Sequence, residues 1–185
     1  MTMPGMAFQP IPGIVTLDTI FATAYRHFLF ACMSHISRLL ANENIILDFE
    51  ASSKKRVFEK VGLLFENSRG IARSTVFDSL FAREKLGSTG LGQGIAIPHG
   101  RIKGLKAAHG AFLRLAVPVA FDSPDGKPVS LLFVLLVPEE ETEQHLQILS
   151  ELAEHFSDRS CREALCIADS ADVIRKIFSN AESIA

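Results

Sequence analysis

The chain has 185 residues, of which 48% are hydrophobic, and a formal net charge of −2 at pH 7. Its length and apolar content suit one domain with a proper core, and its near-neutral charge gives no general attraction to nucleic acid or to an anionic membrane. Cys32, Cys161 and Cys166 form no C-x-x-C pair, which indicates reduced thiols in a cytoplasmic protein rather than a disulfide framework or a zinc site.

The first 32 residues differ from the rest of the chain. Asp18, Arg26 and His27 interrupt their apolar run, and no basic residues precede that run as a signal peptide would require. The run is also too short and too polar to span a bilayer. We therefore expect residues 1–32 to be a partly disordered extension with no membrane span.

The first predicted helix lies between two capping signals. Apolar residues recur at helical spacing from Val57 to Phe65, Ser52 and Ser53 stand before them as possible N-terminal caps, and Gly70 is placed to end the helix.

A second predicted helix begins at Ser74 or Thr75 as its cap and has an apolar face from Val76 to Phe81. Arg83 lies seven residues beyond Val76, on nearly the same side, where the helix meets a glycine-rich loop. In the simplest interpretation, this arginine complements the C-terminal end of the helix dipole.

The glycine-rich loop ends at one histidine. The sequence from residue 86 to 101 is LGSTGLGQGIAIPHGR, and its glycines let the backbone adopt positive φ and approach an anion closely. Pro98 biases the residue before it toward extended geometry, so residues 95–97 are predicted to form a short strand with His99 just past its end. Gly100 leaves no side chain to crowd one side of the imidazole.

Three better-known glycine motifs do not fit this loop. No Gly-Lys-Ser/Thr follows at the offset of a P-loop, and Ile95 occupies the place of the third glycine of a dinucleotide fingerprint. The GSTG segment also differs from the G-x-S-x-G nucleophile elbow.

Strands dominate the next part of the chain. Residues 111–117 and 119–121 are predicted strands, and residues 129–137 form an almost unbroken apolar run that is typical of a central strand covered on both faces. Residues 122–126 supply the turn. The pattern predicts a mixed sheet between helices.

The last predicted helix to bear on function follows three glutamates. Thr142 is its predicted cap, and His145 lies in its first turn, on the same face as Leu149, Leu152 and Phe156. His145 therefore points inward at a helix end that favours anions. Taken alone, such a residue is more often a hydrogen-bonded histidine at the edge of a core.

Several segments resemble one known family. GSTGLGQGIAIPHGR looks like the phosphorylation-site segment of the enzyme IIA domains of the bacterial phosphoenolpyruvate-dependent sugar phosphotransferase system, in the fructose/mannitol and nitrogen-regulatory branch, and is most similar to the nitrogen-regulatory members. SSKKRVFEKVGLLFE, VFDSLFAREKLGSTG and VSLLFVLLVPEEETEQHLQILSEL resemble the family too. The resemblance implies an α/β domain over residues 33–185, with a mixed central sheet flanked by helices on both faces. Since Met33 opens a segment like the usual N-terminus of the family, residues 1–32 are also consistent with a start codon placed too early.

The resemblance also implies the site. His99 would accept the phosphoryl group, and Arg83 and His145 would flank it. The loop residues expected to contribute to phosphate binding are Gly87, Ser88, Thr89, Gly90 and Gly100.

The chemistry agrees with the residue types. A neutral imidazole is a good nucleophile near pH 7 and forms a labile phosphoramidate, so neither a metal nor another cofactor is needed. Stabilisation would come from positioning and from donors to the phosphoryl oxygens, among them a guanidinium and the amides of the loop. The implied donor is a phosphorylated histidine carrier protein of the HPr or NPr type. Leu86, Leu91 and Ile102 are a candidate apolar rim for docking it.

The expected function is that of a nitrogen-regulatory IIA component whose phosphorylation state controls partner proteins such as a kinase or a transporter. One alternative is a fructose- or mannitol-specific IIA that passes the phosphoryl group to a separate IIB, and another is an inert binding module of the same fold. A metal site is the weakest alternative, since only His99 and His145 form a possible ligand pair. His109 and His155 are expected to be solvated.

Overall fold

The computed structural model describes residues 35–140 and 143–180. Within these residues six helices and six strands are present. In chain order they are α1 (His35–Leu39), β1 (Leu40–Phe49), α2 (Lys54–Arg69), α3 (Arg73–Lys85), β2 (Gly90–Gly92), β3 (Ile95–Ala96), β4 (His99–Ile102), β5 (His109–Val119), β6 (Val129–Pro138), α4 (Glu143–Ser157), α5 (Arg159–Ile167) and α6 (Ala171–Asn180).

The strands form one mixed sheet with β6 at its centre. The strand order is β1-β5-β6-β3-β2, and β4 also pairs with β6. The β1–β5 pair is parallel, the β5–β6 pair is antiparallel, and β3 and β4 both run parallel to β6. Every residue of β6 except half-buried Ser130 is buried, as its apolar sequence predicts for a strand covered on both faces.

Helices cover both faces of this sheet, which confirms the predicted α/β architecture. On one face, α1, α4, α5 and α6 pack against alternate β6 residues that include Phe133 and Leu135. On the other face, α2 and α3 pack against the intervening β6 residues, which include Val134 and Leu136. The period of two along β6 therefore assigns its side chains to two separate apolar layers.

Helix α2 has the predicted ends. The hydroxyl of Ser53 accepts a hydrogen bond from the Arg56 backbone N–H at 3.3 Å, and Gly70 ends the helix with φ of 67°, a conformation that favours glycine.

The predicted start of α3 is wrong. The helix begins at Arg73 after Ala72, and neither Ser74 nor Thr75 caps it. Instead, the carboxylate of Glu66 in α2 accepts the Arg73 backbone N–H at 3.2 Å. A side chain from the preceding helix thus takes the place of a local cap, which spacing along the chain does not reveal.

The strand before His99 also differs from the prediction. Pairing with β6 stops after Ala96 and resumes at His99, so His99 is the first residue of a second strand and does not lie past a strand end. Buried Pro98 has no N–H to donate to a strand ladder, but its carbonyl oxygen accepts the Leu135 N–H at 2.9 Å. The interruption at the proline lets one edge of β6 hold two short strands in line.

Strand β5 is continuous from His109 to Val119, whereas two strands were expected there. Its register with β6 shifts between Arg114 and Val119, and Pro118 is tolerated at this irregularity. Phe121, expected in the second strand, lies beyond the end of β5 and is fully buried.

The predicted extension over residues 1–32 and the predicted cap Thr142 lie outside the described residues. In residues 35–140 and 143–180, no helix combines the length and apolarity needed to cross a membrane.

Gly100 determines how closely α3 packs against β4. A Cβ atom at this position would overlap the Ser79 hydroxyl and lie 3.1 Å from Ser79 Cβ. Since α3 cannot move without disturbing its apolar layer, we expect Gly100→Ala to lower the free energy of unfolding by about 1–3 kcal/mol. Urea denaturation measures this change.

Ser79→Ala provides the control for this prediction. In the Gly100→Ala background it removes the overlapping hydroxyl, so it should recover part of the lost free energy of unfolding. In the wild type it only removes the hydrogen bond from Ser79 Oγ to the Arg101 carbonyl oxygen. Additive effects of the two substitutions would contradict the proposed overlap.

Candidate functional site

The site lies where β4 begins, between the ends of two helices. His99 is opposite Leu135 of β6, its side chain is half-buried, and its ring lies 5.4 Å from the ring of His145 in the first turn of α4. Arg83, from the last turn of α3, reaches the same imidazole. The structure therefore brings together the three residues that the sequence singled out.

Hydrogen bonds define the tautomer of His99. Its Nδ1 atom lies 2.9 Å from the backbone carbonyl oxygen of Ile97, and a carbonyl oxygen can only accept, so Nδ1 carries the hydrogen. Arg83 Nε donates to His99 Nε2 at 2.9 Å, and a guanidinium can only donate. The imidazole is therefore neutral, with its lone pair on Nε2.

Arg83 is held in place from the loop side. Its Nη1 atom donates to the carbonyl oxygen of Gly87 at 2.9 Å, while Nε faces His99. Arg83 therefore joins the loop that follows α3 to the imidazole. A planar guanidinium in this position offers its remaining N–H groups to an anion that approaches Nε2.

His145 is almost fully buried and has an unpaired ring atom. The residue is 7% exposed, and its Nε2 atom has no hydrogen-bond partner among the described residues. The planes of the His145 and His99 rings are inclined at 61° to each other. Because buried polar atoms in proteins are normally paired, an unpaired nitrogen beside His99 is suited to a group that arrives from outside.

The surroundings favour the neutral form of both histidines. Burial lowers the pKa of His99, and Arg83 and Arg101 lower it further, while the Ile97 carbonyl and Glu84 oppose these effects. Burial also lowers the pKa of His145, assisted by His99, Arg101 and Arg83. The site therefore combines neutral imidazoles with fixed cations, a combination that attracts an anion and retains a nucleophile.

The loop residues expected to bind phosphate form several bonds within the chain. Thr89 donates its backbone N–H and its hydroxyl to Glu84, and the Ser88 hydroxyl donates to the Phe121 carbonyl oxygen and accepts the Gly90 N–H. Gly87 is exposed, with φ of 152° and open space around its α-carbon. These contacts order the loop, and a direct role of its residues on phosphate stays a prediction.

Lys54 and Glu84 are charged residues close to the site that were not selected from the sequence as functional. Lys54, at the start of α2, donates to Glu84 at 2.7 Å and to Asp122 at 2.8 Å. Glu84 lies in the last turn of α3, where the helix dipole disfavours a carboxylate. This unfavourable position is the sequence signal that a partner had to be present.

His109 lies in β5 and His155 in the last turn of α4, outside the cluster of Arg83, His99 and His145. His155 is half-buried with its ring 5.9 Å from that of Phe178, so it is less solvated than expected. His109 begins β5 and is also half-buried; burial and then Arg69 lower its pKa. Among the described residues, no group of three His, Cys, Asp or Glu side chains is arranged to hold a metal ion.

The surface around the site is partly apolar and partly cationic. Leu86 and Leu91 are exposed, as expected for a docking rim, but Ile102 is buried in the layer beneath α3. Leu146, next to His145, is 65% exposed and was not predicted for this surface. The exposed cations nearby are Lys85, Arg101, Lys103 and Lys106.

The lowered pKa of His99 has a measurable consequence. Its imidazole should titrate below the usual value of 6.5, so the neutral form that can act as a nucleophile persists as the pH falls to 6.5 and is lost only at lower pH. Arg83→Met should raise this midpoint, because it removes a cation that disfavours protonation. NMR titration of the imidazole signals measures both values.

Arg69→Met is the matched control, because Arg69 lowers the pKa of His109. It should raise the midpoint of His109 and leave that of His99 unchanged. A wild-type His99 midpoint at or above 6.5 would contradict the electrostatic description of the site.

Comparison with known proteins identifies the family. Residues 38–181 match the family model "Phosphoenolpyruvate-dependent sugar phosphotransferase system, EIIA 2". A nitrogen regulatory protein of Pseudomonas aeruginosa is 40% identical over 152 residues, which cover 82% of this chain and 99% of that protein.

The crystal structure of nitrogen regulatory protein IIA-Ntr from Neisseria meningitidis is 56% identical with a TM-score of 0.75, over 78% of this chain and 99% of that one. The mannitol IIA structure from Escherichia coli is 25% identical with a TM-score of 0.64, over 75% of this chain and 98% of that one. The resemblance detected in the sequence is thus confirmed, and the chain belongs to the EIIA 2 family of the phosphoenolpyruvate-dependent sugar phosphotransferase system.

Proposed function

We propose that this protein is a nitrogen-regulatory IIA component that accepts a phosphoryl group on His99 Nε2 and controls partner proteins through its phosphorylation state. One observation carries the proposal: the bond from Nδ1 to the Ile97 carbonyl leaves the lone pair on Nε2, which faces Arg83. A nitrogen that is neutral, oriented and beside a guanidinium is equipped for nucleophilic attack on a phosphoryl group.

The transfer balances without a metal or a net proton transfer. The Nε2 lone pair forms the new N–P bond, while the N–P bond of a donor phosphohistidine breaks and its electron pair stays on the donor nitrogen. The hydrogen stays on His99 Nδ1, which donates it to the Ile97 carbonyl oxygen throughout the transfer. Arg83 then exchanges its bond to Nε2 for bonds to the phosphoryl oxygens, which match its planar geometry.

His145 has a distinct role in this proposal. Its unpaired Nε2 atom is buried beside His99, and its lowered pKa favours the neutral ring. With its hydrogen on Nε2, that ring would donate to a phosphoryl oxygen and so stabilise the phosphorylated state. The bond would also satisfy the buried nitrogen, which supports a role in stabilisation rather than in accepting the phosphoryl group.

The donor in this proposal is a phosphorylated carrier of the HPr or NPr type. Exposed Leu86 and Leu146 beside the site offer an apolar contact, and the surrounding cations favour a negatively charged phosphohistidine. We further propose that residues 33–185 form the functional domain, that residues 1–32 are an extension outside it, and that the protein acts in the cytoplasm. The free thiols of Cys161 and Cys166 support a reducing compartment.

Intact-protein mass spectrometry tests phosphoryl acceptance. The protein is incubated with phosphoenolpyruvate, enzyme I and a phosphocarrier of the HPr or NPr type. We expect one acid-labile phosphoryl adduct in the wild type and none in His99→Gln. The matched control is His109→Gln. His109 lies in the same sheet, across β6 from Gly100, but outside the cluster of Arg83, His99 and His145, so the adduct should persist in this variant.

Absence of the adduct, with carriers that phosphorylate another IIA protein, would reject the proposal and favour the inert binding module. An adduct that persists in His99→Gln would move the acceptor to another residue.

A second experiment separates the regulatory role from sugar transport. Names of relatives support both, since the nitrogen regulatory proteins of Pseudomonas aeruginosa and Escherichia coli are 40% and 38% identical and the fructose-specific EIIA component of Haloferax volcanii is 34% identical. We expect the phosphorylated protein to transfer no phosphoryl group to purified fructose- or mannitol-type IIB domains, as followed by mass. A true fructose or mannitol IIA serves as the positive control, and rapid transfer would contradict the purely regulatory role.

A further inference from the structure

Glu84 is a buried carboxylate one residue after Arg83. Its side chain is 6% exposed, and it lies at the end of α3, where the helix dipole opposes negative charge. Three donors compensate for this position. Lys54 Nζ donates to Oε1 at 2.7 Å, while Oε2 accepts the Thr89 hydroxyl at 2.6 Å and the Thr89 backbone N–H at 3.1 Å. Such charge-assisted bonds are among the strongest that a side chain forms.

A continuous series of hydrogen bonds connects Glu84 to His99. Glu84 holds the N–H and the hydroxyl of Thr89, and the carbonyl oxygen of Thr89 accepts the Ile97 N–H at 3.0 Å. The carbonyl oxygen of Ile97 accepts the hydrogen of His99 Nδ1. Each step joins groups that are buried or half-buried, so water competes little for these bonds.

We propose that Glu84 is a positioning residue, acting through Thr89 and Ile97 to hold His99 in the tautomer that has its hydrogen on Nδ1 and its lone pair on Nε2. The effect on phosphoryl transfer rests on the function proposed above, whereas the effect on the tautomer does not. Displacing the carboxylate would release Thr89, shift the Ile97 carbonyl oxygen and weaken its hydrogen bond with Nδ1–H. A fraction of the molecules would then carry the hydrogen on Nε2, and in that tautomer Nε2 has no lone pair for attack.

Electrostatics supports the same role. The charged or titratable groups that act on His99 are Arg83 and Glu84 from α3, Arg101 from its own strand and His145 from α4. Glu84 is the anionic member of this set and raises the pKa of His99, whereas both arginines lower it. The carboxylate therefore preserves basicity in a nitrogen surrounded by cations.

Glu84→Gln is the discriminating variant. A glutamine side chain has one oxygen, so if it accepts from Thr89 it turns its NH₂ group toward Lys54, which is also a donor. We expect the wild-type His99 to occupy the single tautomer protonated on Nδ1, and the variant to show a mixture and a lower pKa. Imidazole nitrogen chemical shifts, recorded by NMR on the unphosphorylated protein across pH, report both quantities. The rate of phosphoryl acceptance should fall about 10- to 100-fold.

Asp125→Asn provides a matched control. Asp125 also accepts a backbone N–H of the glycine-rich loop, from Gln93 at 2.7 Å, but it is absent from the bonds that lead to Ile97. It should leave the His99 tautomer and pKa unchanged. A change as large as that of Glu84→Gln would overturn the proposal, because general loosening of the loop would then suffice.

Thr89→Val makes the test independent of the folding of Glu84→Gln. It keeps the branched shape and the backbone bond but removes the hydroxyl, so the same tautomer shift should appear in smaller size. A His99 tautomer and pKa equal to the wild type in the folded variants overturn the proposal. Failure of the wild type to accept a phosphoryl group would overturn the proposed function instead, while the NMR result would still decide the role of Glu84.

Discussion

The hydrogen bond from His99 Nδ1 to the Ile97 carbonyl oxygen is the interaction on which the site depends. It decides which ring nitrogen carries the hydrogen, and so it leaves the lone pair on Nε2, where it accepts a hydrogen bond from Arg83. Its geometry follows from Pro98, which interrupts strand pairing between Ala96 and His99. Because β6 pairs on both sides of this interruption, the carbonyl and the imidazole are held on one rigid edge rather than on a free loop.

The two faces of the sheet supply different parts of the site. Helix α3, from one face, brings Arg83 and the carboxylate of Glu84, while α4, from the other face, brings the buried ring of His145. Burial and the arginines favour neutral imidazoles, and Glu84 limits how far the basicity of His99 falls. The balance suits a nucleophile that receives an anion, since a protonated imidazole would bind the anion without being able to attack it.

Local chemistry made much of the fold predictable, whereas contacts between distant segments did not. Ser53 and Gly70 predicted the ends of α2, and the apolar run predicted β6, because caps and burial patterns depend on residues that are neighbours in the sequence. The family context predicted that Arg83, His99 and His145 lie in one site, and the structure brings their side chains together. The start of α3 depends on Glu66 from another helix, and the role of Glu84 depends on Lys54 and Thr89, so neither could be deduced from spacing.

The central position of β6 also constrains when the site can form during synthesis of the chain. His99 emerges from the ribosome before its partner strand, because β4 pairs with residues 135–138, and the ring of His145 follows later still. The N-terminal half of the domain therefore cannot assemble the candidate site while translation is in progress through β5. A nascent chain would bring Arg83, His99 and His145 together only after β6 and the first turn of α4 have left the exit tunnel.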